Sequence, residues 1–329
     1  MFLVFEETIK NKSYTYSKKW LCNLAKLLLI GVTLFSFLPL SFAQYIGAAV
    51  GWVFSFSPSS VKRITAINID RCFSGASRLE RKKLVRLSVM HTIITATEMP
   101  KIFMAKPSCL FSSFTRIIGY DDAKKDFDAG NGVLFIGPHF GCWEVAGLKV
   151  SHEFPVHTLY SPSKSKVVSR LVEKARSRSG AVMSEASNRG VMAMFKALKK
   201  KQCVAILADQ VPDAVGGCYI PFFGVPALTM TLVAKLYEKC SPKVYITYAV
   251  RNGIGKGYSM FYVALDKYIG LYENNIALTS DQTFLYAMNK CFEDIIMSSP
   301  EQYEWSYKRF KWQPACMLDP YSKEEEYLP

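Results

Sequence analysis

The stretch Gly132–Leu148 constrains the fold more than any other. Gly132-Val133-Leu134-Phe135-Ile136 is short, apolar, β-prone and bounded by glycine, the pattern of a buried strand. It runs into Gly137-Pro138-His139-Phe140-Gly141-Cys142-Trp143-Glu144, after which Val145-Ala146-Gly147-Leu148 begins a helical pattern. A strand that ends in a turn and continues as a helix delivers the turn to the edge of a sheet. In open α/β sheets that C-terminal edge is where ligands bind. Here it receives a histidine and, five residues on, a glutamate.

From about residue 112 onward the chain keeps this rhythm. Val156–Tyr160, Ala181–Met183 and Cys203–Ala208 read as strands. Between and after them, Ser165–Ser179, Arg189–Lys201, Thr231–Lys239 and 280–298 read as helices, and Lys243–Val250 with Ser259–Leu265 as a late hairpin. Alternating strands and helices predict an α/β fold, a mixed central sheet flanked by helices. Residues 58–105 read as helical, with a capping-box pattern at Ser77-Arg78-Leu79-Glu80. His91 in that region has no acid at i+4 and is expected to be a satisfied, partly buried histidine.

The N-terminus is of a different kind. From Leu21 to Phe56 the only charge is Lys26, and Leu27–Leu38 is almost wholly apolar. The stretch exceeds the about 20 apolar residues that cross a bilayer. A cleaved signal peptide is suggested by Ser41-Phe42-Ala43, but apolar sequence resumes at Ile46. The remaining readings are a single span or a bent element lying in the membrane, with Pro39 and the Gly47 and Gly51 positions as the bend. Basic residues flank both ends, so charge does not choose between them. The expected organisation is residues 1–56 as a basic segment plus hydrophobic membrane-anchor helix, and 57–329 as the α/β domain.

The net charge of +14 and pI near 9.3 suit an anionic membrane surface or acidic ligands. No zinc finger, helix-turn-helix or RNA-binding signature stands out, which argues against nucleic acid. The nine cysteines are scattered, odd in number and without CxxC. That pattern predicts free thiols in a reducing compartment, and neither a disulfide framework nor a structural zinc site.

His139 and Glu144 cannot share one face of a regular helix, so at least one lies in the turn. A carboxylate bound to one ring nitrogen would fix the tautomer and raise the basicity of the other, the base–orienter half of a triad. A nucleophile is missing. There is no GxSxG elbow; Cys142 is the rival, which would make a Cys/His hydrolase, and Ser161-Pro162-Ser163-Lys164 is a weak SxxK match. Asp209, at the end of a strand, either holds a loop by accepting N–H bonds or lines the site. Phe222 and Phe223 read as packing residues.

His139-Phe140-Gly141-Cys142-Trp143-Glu144 resembles the HX4D/E signature of glycerolipid acyltransferases. A more specific block, Ile206-Leu207-Ala208-Asp209-Gln210-Val211-Pro212-Asp213 followed by Pro221-Phe222-Phe223-Gly224-Val225-Pro226-Ala227, resembles the late, lauroyl/myristoyl-type acyltransferases of lipid A biosynthesis. Asn68-Ile69-Asp70-Arg71-Cys72-Phe73, the basic stretch around Arg176, and Gln302-Tyr303-Glu304-Trp305 with Arg309-Phe310-Lys311 agree in order and spacing. The likeness runs from about residue 20 to 312. It departs at Cys142, where Asn is common, and at Tyr307, where His is common, positions that bear on substrate choice.

The resemblance implies a membrane-associated O-acyltransferase, on the cytoplasmic face of a bacterial inner membrane, that needs no cofactor and no metal. Its donor would be a fatty acyl chain on acyl carrier protein, and its acceptor a hydroxyl of a lipid A precursor. His139, oriented by Glu144, would deprotonate that hydroxyl. The Gly141 and Cys142 N–H groups would stabilise the oxyanion, and Arg176, with Arg178 or Arg189, would hold acceptor phosphates. Another lipid or hydroxylated acceptor, and a non-catalytic membrane adaptor of the same fold, are the competing expectations.

Overall fold

A computed structural model of the chain describes residues 31–160, 166–272, 278–314 and 317–322. Its centre is a seven-stranded sheet. The strands are β1 (Phe114–Ile118), β2 (Val133–Gly137), β3 (Val156–Tyr160), β4 (Val182–Glu185), β5 (Cys203–Leu207), β8 (Lys243–Arg251) and β9 (Tyr258–Ala264). They lie in the order β1-β9-β8-β2-β5-β3-β4. From β8 to β4 neighbours run parallel; β9 turns back antiparallel to β8, and β1 follows β9. The sheet is therefore mixed, as expected. A separate hairpin, β6 (Gly217–Phe222) with β7 (Val225–Met230), comes from the Pro221–Ala227 block.

β2 lies inside the sheet, and all five of its residues are buried. Its side chains alternate between two cores. Leu134 and Ile136 enter a core with Ile67 of α2 (Ser60–Cys72), Met194 of α8 (Asn188–Lys199), Leu236 of α9 (Leu232–Cys240) and Phe292 of α11 (Ser280–Ser298). Val133 and Phe135 face Ala123 of α5 (Tyr120–Asp128) and Ala146 and Val150 of α6 (Trp143–Glu153). Helices thus cover both faces. Phe222 is buried, and Phe223 packs at a tilt against the Phe73 and Trp305 rings, so the pair packs as the sequence suggested.

The long helix α3 (Arg78–Met104) opens with the expected capping box: the Ser77 N–H donates to Glu80 and the Glu80 N–H to the Ser77 hydroxyl. His91 departs from expectation. Its buried Nδ1 has no hydrogen-bond partner among the described residues, and burial, with the charge of Arg251, pushes its pKa down to about 4.

Residues 1–30, the first half of the expected anchor, lie outside the described residues. Pro39 divides the rest of the apolar run, because proline cannot donate the N–H that a continuing helix needs. A helical turn ends at Ser36, and α1 (Leu40–Phe54) starts afresh. At 15 residues α1 spans roughly 22 Å, against about 30 Å for the hydrocarbon core. No helix among the described residues is long and apolar enough to cross a membrane.

Gly47 and Gly51 are not a bend. They lie within α1 and let it settle onto α3: a Cβ on Gly47 would sit 2.3 Å from Thr97 Oγ1, and one on Gly51 2.8 Å from Met90 Cα. The opposite face of α1 and the turn before it leave Phe37, Phe42, Tyr45, Trp52, Val53 and Phe56 exposed. The cysteines among the described residues are all free.

Candidate active site

Two neighbouring parallel strands build the site. β2 and β5 pair in register, Gly137 opposite Leu207, and each chain runs two residues beyond that pair. His139 and Asp209 therefore leave the same edge side by side. Asp209 is buried and grips His139 twice: Oδ2 accepts the His139 backbone N–H at 2.8 Å, and Oδ1 meets ring Nδ1 at 2.7 Å. Burial alone would raise the Asp209 pKa, but the charges of His139 and Arg309 and the two hydrogen bonds hold it below the usual carboxylate value.

An ionised Asp209 only accepts, so Nδ1 carries the ring proton and Nε2 carries the lone pair. Burial disfavours the charged ring. Asp209, with smaller help from Glu304 and Glu144, outweighs that and raises the His139 pKa above the ordinary 6.5. Trp143 meets the imidazole edge-on at 5.2 Å between centroids. The Gln210 side-chain nitrogen lies 3.2 Å from Nε2.

The orienting carboxylate is thus Asp209 and not Glu144. Glu144 lies in the first turn of α6, and its carboxylate is taken by Arg176 of α7 (Lys166–Ser177). Arg176 Nε donates to Oε2 at 3.0 Å and Nη2 to Oε1 at 2.5 Å, a bidentate fork. Arg176 is about a third exposed.

The expected main-chain oxyanion donors are also engaged elsewhere. The Gly141 N–H donates to Gln302 O at 2.9 Å, and the Cys142 N–H to Ala249 O at 2.8 Å. Gly141 has φ +60°, and a Cβ there would lie 2.0 Å from Ala249 O, so only glycine lets this turn lie against β8.

Cys142 is buried among Ile102, Val145, Leu148 and Tyr258, and that burial, with the charge of Glu98, pushes its thiol well above the ordinary range. It is a packing residue. The SxxK residues Ser161–Lys164 lie outside the described residues. Arg178 donates to the Phe103 carbonyl at 2.9 Å and to that of Ile102, capping the end of α3 and leaving the phosphate role to others. Arg189 is exposed at the start of α8, where the chain comes off the same sheet edge at β4.

Distant blocks converge on the His139 turn. Phe140 bridges Tyr303 in antiparallel fashion, and the Glu304 N–H donates to His139 O at 2.9 Å. Gln302 adds a second tie, accepting from the Arg251 N–H and donating to Arg251 O, each at 3.0 Å. Asn68 donates to both Trp305 O and Tyr307 O at 2.7 Å, and the Tyr307 hydroxyl accepts the Val211 N–H at 3.0 Å. The N-terminal, central and C-terminal blocks noted in the sequence thus form one clamp around His139.

Residues 7–312 match the family described as bacterial lipid A biosynthesis acyltransferases. The chain belongs to that family. It is an acyltransferase. Among its curated relatives, the lipid A biosynthesis palmitoleoyltransferase of Escherichia coli K12 is 26% identical over 283 residues, 84% of this chain and 88% of that one. The lauroyltransferase of the same strain is 25% identical over 253 residues, 77% and 79% of the two chains. The myristoyltransferase is 21% identical over 318 residues, 96% and 95%.

In a chain of this family the His139–Asp209 pair at the sheet edge is the candidate centre of the site. Sequence reasoning missed the His139–Asp209 pairing, although one signal was available. If two strands run parallel and end level, residues the same distance past each strand become neighbours. Gln210 and Gln302 stood inside the resemblance blocks without a role assigned to them, and the Glu98–Arg251 ion pair left no trace in the sequence.

Proposed function

We propose that this acyltransferase moves a fatty acyl chain from the thioester of an acyl carrier protein to a hydroxyl of a lipid A precursor, at the cytoplasmic face of a bacterial inner membrane. The observation that carries the reading is the His139–Asp209 pair in a chain of this family. Among the described residues, no serine, threonine or cysteine hydrogen-bonds Nε2. The nucleophile is then the acceptor's own hydroxyl. His139 Nε2 takes its proton as the oxygen attacks the thioester carbonyl, and returns that proton to the departing thiolate.

Arg176, held at Nε and Nη2 by Glu144, turns its remaining N–H groups toward an anionic group of the acceptor. This keeps Arg176 as a phosphate-binding residue and gives Glu144 the task of aiming it. Arg189, Lys196, Lys199 and Lys200 surround Met192, itself 65% exposed, on α8. A basic face with an apolar centre suits an acidic carrier protein. The relatives named for lipid A biosynthesis support the acceptor.

Lipid A from cells lacking the gene, analysed by mass spectrometry, is expected to fall short by one acyl chain and to regain it with the wild-type gene. An unchanged lipid A profile would overturn the acceptor and favour another hydroxylated lipid. Membrane association rests on the exposed aromatic face of α1, with Arg86 5.0 Å from the Phe56 ring to meet anionic headgroups. Burying a large apolar side chain is worth about 1.5–3 kcal/mol. Trp52→Ser with Phe56→Ser is therefore expected to lower co-flotation with anionic phospholipid vesicles by at least about tenfold. Undiminished flotation of that variant would place the contact elsewhere.

A further inference from the structure

The geometry points to Gln210 as the oxyanion donor of the transfer reaction: its side-chain N–H leaves His139 Nε2 when the acceptor hydroxyl arrives and binds the thioester carbonyl oxygen instead. This rests on the reading of His139 as the general base.

The two backbone N–H groups best placed by sequence, those of Gly141 and Cys142, are spent on Gln302 O and Ala249 O. The same main chain is bridged to β8 at Ala249. A donor must therefore come from elsewhere, and the Gln210 amide is already within reach of the reacting point. With Nδ1–H given to Asp209, Nε2 has a lone pair and no proton, so the Gln210 atom 3.2 Å away is its donating NH2 group.

That position is the one an attacking hydroxyl needs. When the hydroxyl takes Nε2, the amide is displaced by about one heavy-atom layer. The carbonyl under attack occupies that layer, because its carbon must come within about 3–3.5 Å of the hydroxyl oxygen. Gln210 immediately follows Asp209, which is buried and doubly bonded to His139. Its backbone is thus fixed, while its half-buried side chain can still turn.

The step balances without any further reactant. The hydroxyl oxygen forms a bond to the thioester carbon, and its proton passes to Nε2. The carbonyl π pair moves onto oxygen, to which the Gln210 N–H donates a hydrogen bond. The pair then returns, the C–S bond breaks, and the thiolate takes the proton from Nε2. An ester, a free thiol and neutral His139 remain.

The test is steady-state kinetics of the full-length protein in detergent or vesicles, with acyl carrier protein thioester and lipid A precursor both varied. Gln210→Ala and Gln210→Met are each expected to lower kcat by about 10²–10³-fold, the usual loss for one oxyanion donor, with both KM values within about threefold. Met keeps the volume and loses only the N–H, so a Met variant near wild-type rate would show that packing matters and overturn the proposal. If Gln210 merely caps the base, its removal frees Nε2, and a kcat unchanged or raised would equally overturn it. Thermal unfolding midpoints within a few degrees of wild type establish that the variants are folded. His139→Ala is run alongside: inactive His139→Ala with active Gln210 variants sinks only the assignment of Gln210, whereas active His139→Ala sinks the general-base reading and this inference with it.

Discussion

Asp209→Asn is expected to lower kcat by about 10²–10⁴-fold, close to the loss from His139→Ala, because general-base catalysis of this kind is worth about that much. The carboxylate has two functions that an amide cannot both perform. Oδ1 accepts the Nδ1 proton, and Oδ2 accepts the His139 N–H. An Asn that keeps its oxygen on the backbone N–H presents NH2 to Nδ1. The ring then shifts its proton to Nε2 and has no lone pair for the acceptor hydroxyl.

The pH profile separates this explanation from simple misfolding. His139 has a raised pKa chiefly because Asp209 overcomes the effect of burial. The base must be neutral to act, so wild-type kcat/KM falls on the acid side at a pH above 6.5. Removing the Asp209 charge lowers the His139 pKa, so in Asp209→Asn the acid limb moves to lower pH while the plateau drops. A plateau within threefold of wild type, or an acid limb that stays put, would contradict the assignment. Glu144→Gln should behave differently. It loosens Arg176, so the KM for the lipid acceptor rises more than kcat falls.

Much of the fold was legible because its central strands are short apolar runs and its helices carry strong local signals. The helix at 280–298 and the strand Val156–Tyr160 begin and end where the sequence pattern does. Ser77 and Glu80 announced their capping box because its atoms lie within one turn. The site was legible only in part, for a physical reason. His139, Asp209 and Arg176 could each be singled out by residue type and position, but which carboxylate meets which cation depends on strand order. β5 lies beside β2, so Asp209 reaches the ring, while Glu144 meets Arg176. The HX4E spacing suggested a pair because its residues are close in sequence, and the turn then carries them to different partners. The same limit applies to Gly141 and Cys142: nothing local reveals that their N–H groups are already taken by residues 302 and 249. At the N-terminus, one expected reading placed a bend at Pro39 together with Gly47 and Gly51; the chain breaks at Pro39 alone, and the two glycines are close-packing positions whose partners on α3 lie more than 35 residues away in sequence.

Glu98→Ala is expected to destabilise the protein by about 3–5 kcal/mol, the range for stripping one partner from a buried ion pair. Glu98 and Arg251 are essentially inaccessible, with 0% and 1% of their side chains exposed. Arg251 Nε and Nη2 donate to the carboxylate at 2.9 and 2.5 Å, and Nη2 also reaches Thr95 at 2.7 Å. Tyr258 and Gln44 donate to the same Glu98 oxygen at 2.7 and 2.6 Å. Gln44 in turn accepts the Gly255 N–H at 2.7 Å. One carboxylate thus joins α1, α3 and the β8–β9 hairpin, behind the turn that carries His139. Without it, Arg251 is a buried cation whose Nη1 already lacks a partner among the described residues. On the scale of about 2–4 °C per kcal/mol for domains of 150–250 residues, the melting temperature should fall by roughly 6–20 °C. The sign with pH is fixed by the lowered Glu98 pKa, which holds because Arg251 and the three hydrogen bonds outweigh burial. The contribution is fully present above the ordinary carboxylate pKa and is lost only as pH falls through the lower folded value. Replacing both partners by apolar residues, Glu98→Leu with Arg251→Met, removes the stranded charge and should recover much of the loss, although Tyr258 and Gln44 then lose an acceptor. Additive losses in the double variant, or an unchanged melting temperature in Glu98→Ala, would contradict this account. Because Gln44 hangs on the same carboxylate and accepts from Gly255, Glu98→Ala should also make α1 and the β8–β9 turn at Gly255 more susceptible to limited proteolysis, linking the stability of the core to the helix that carries the exposed aromatic face.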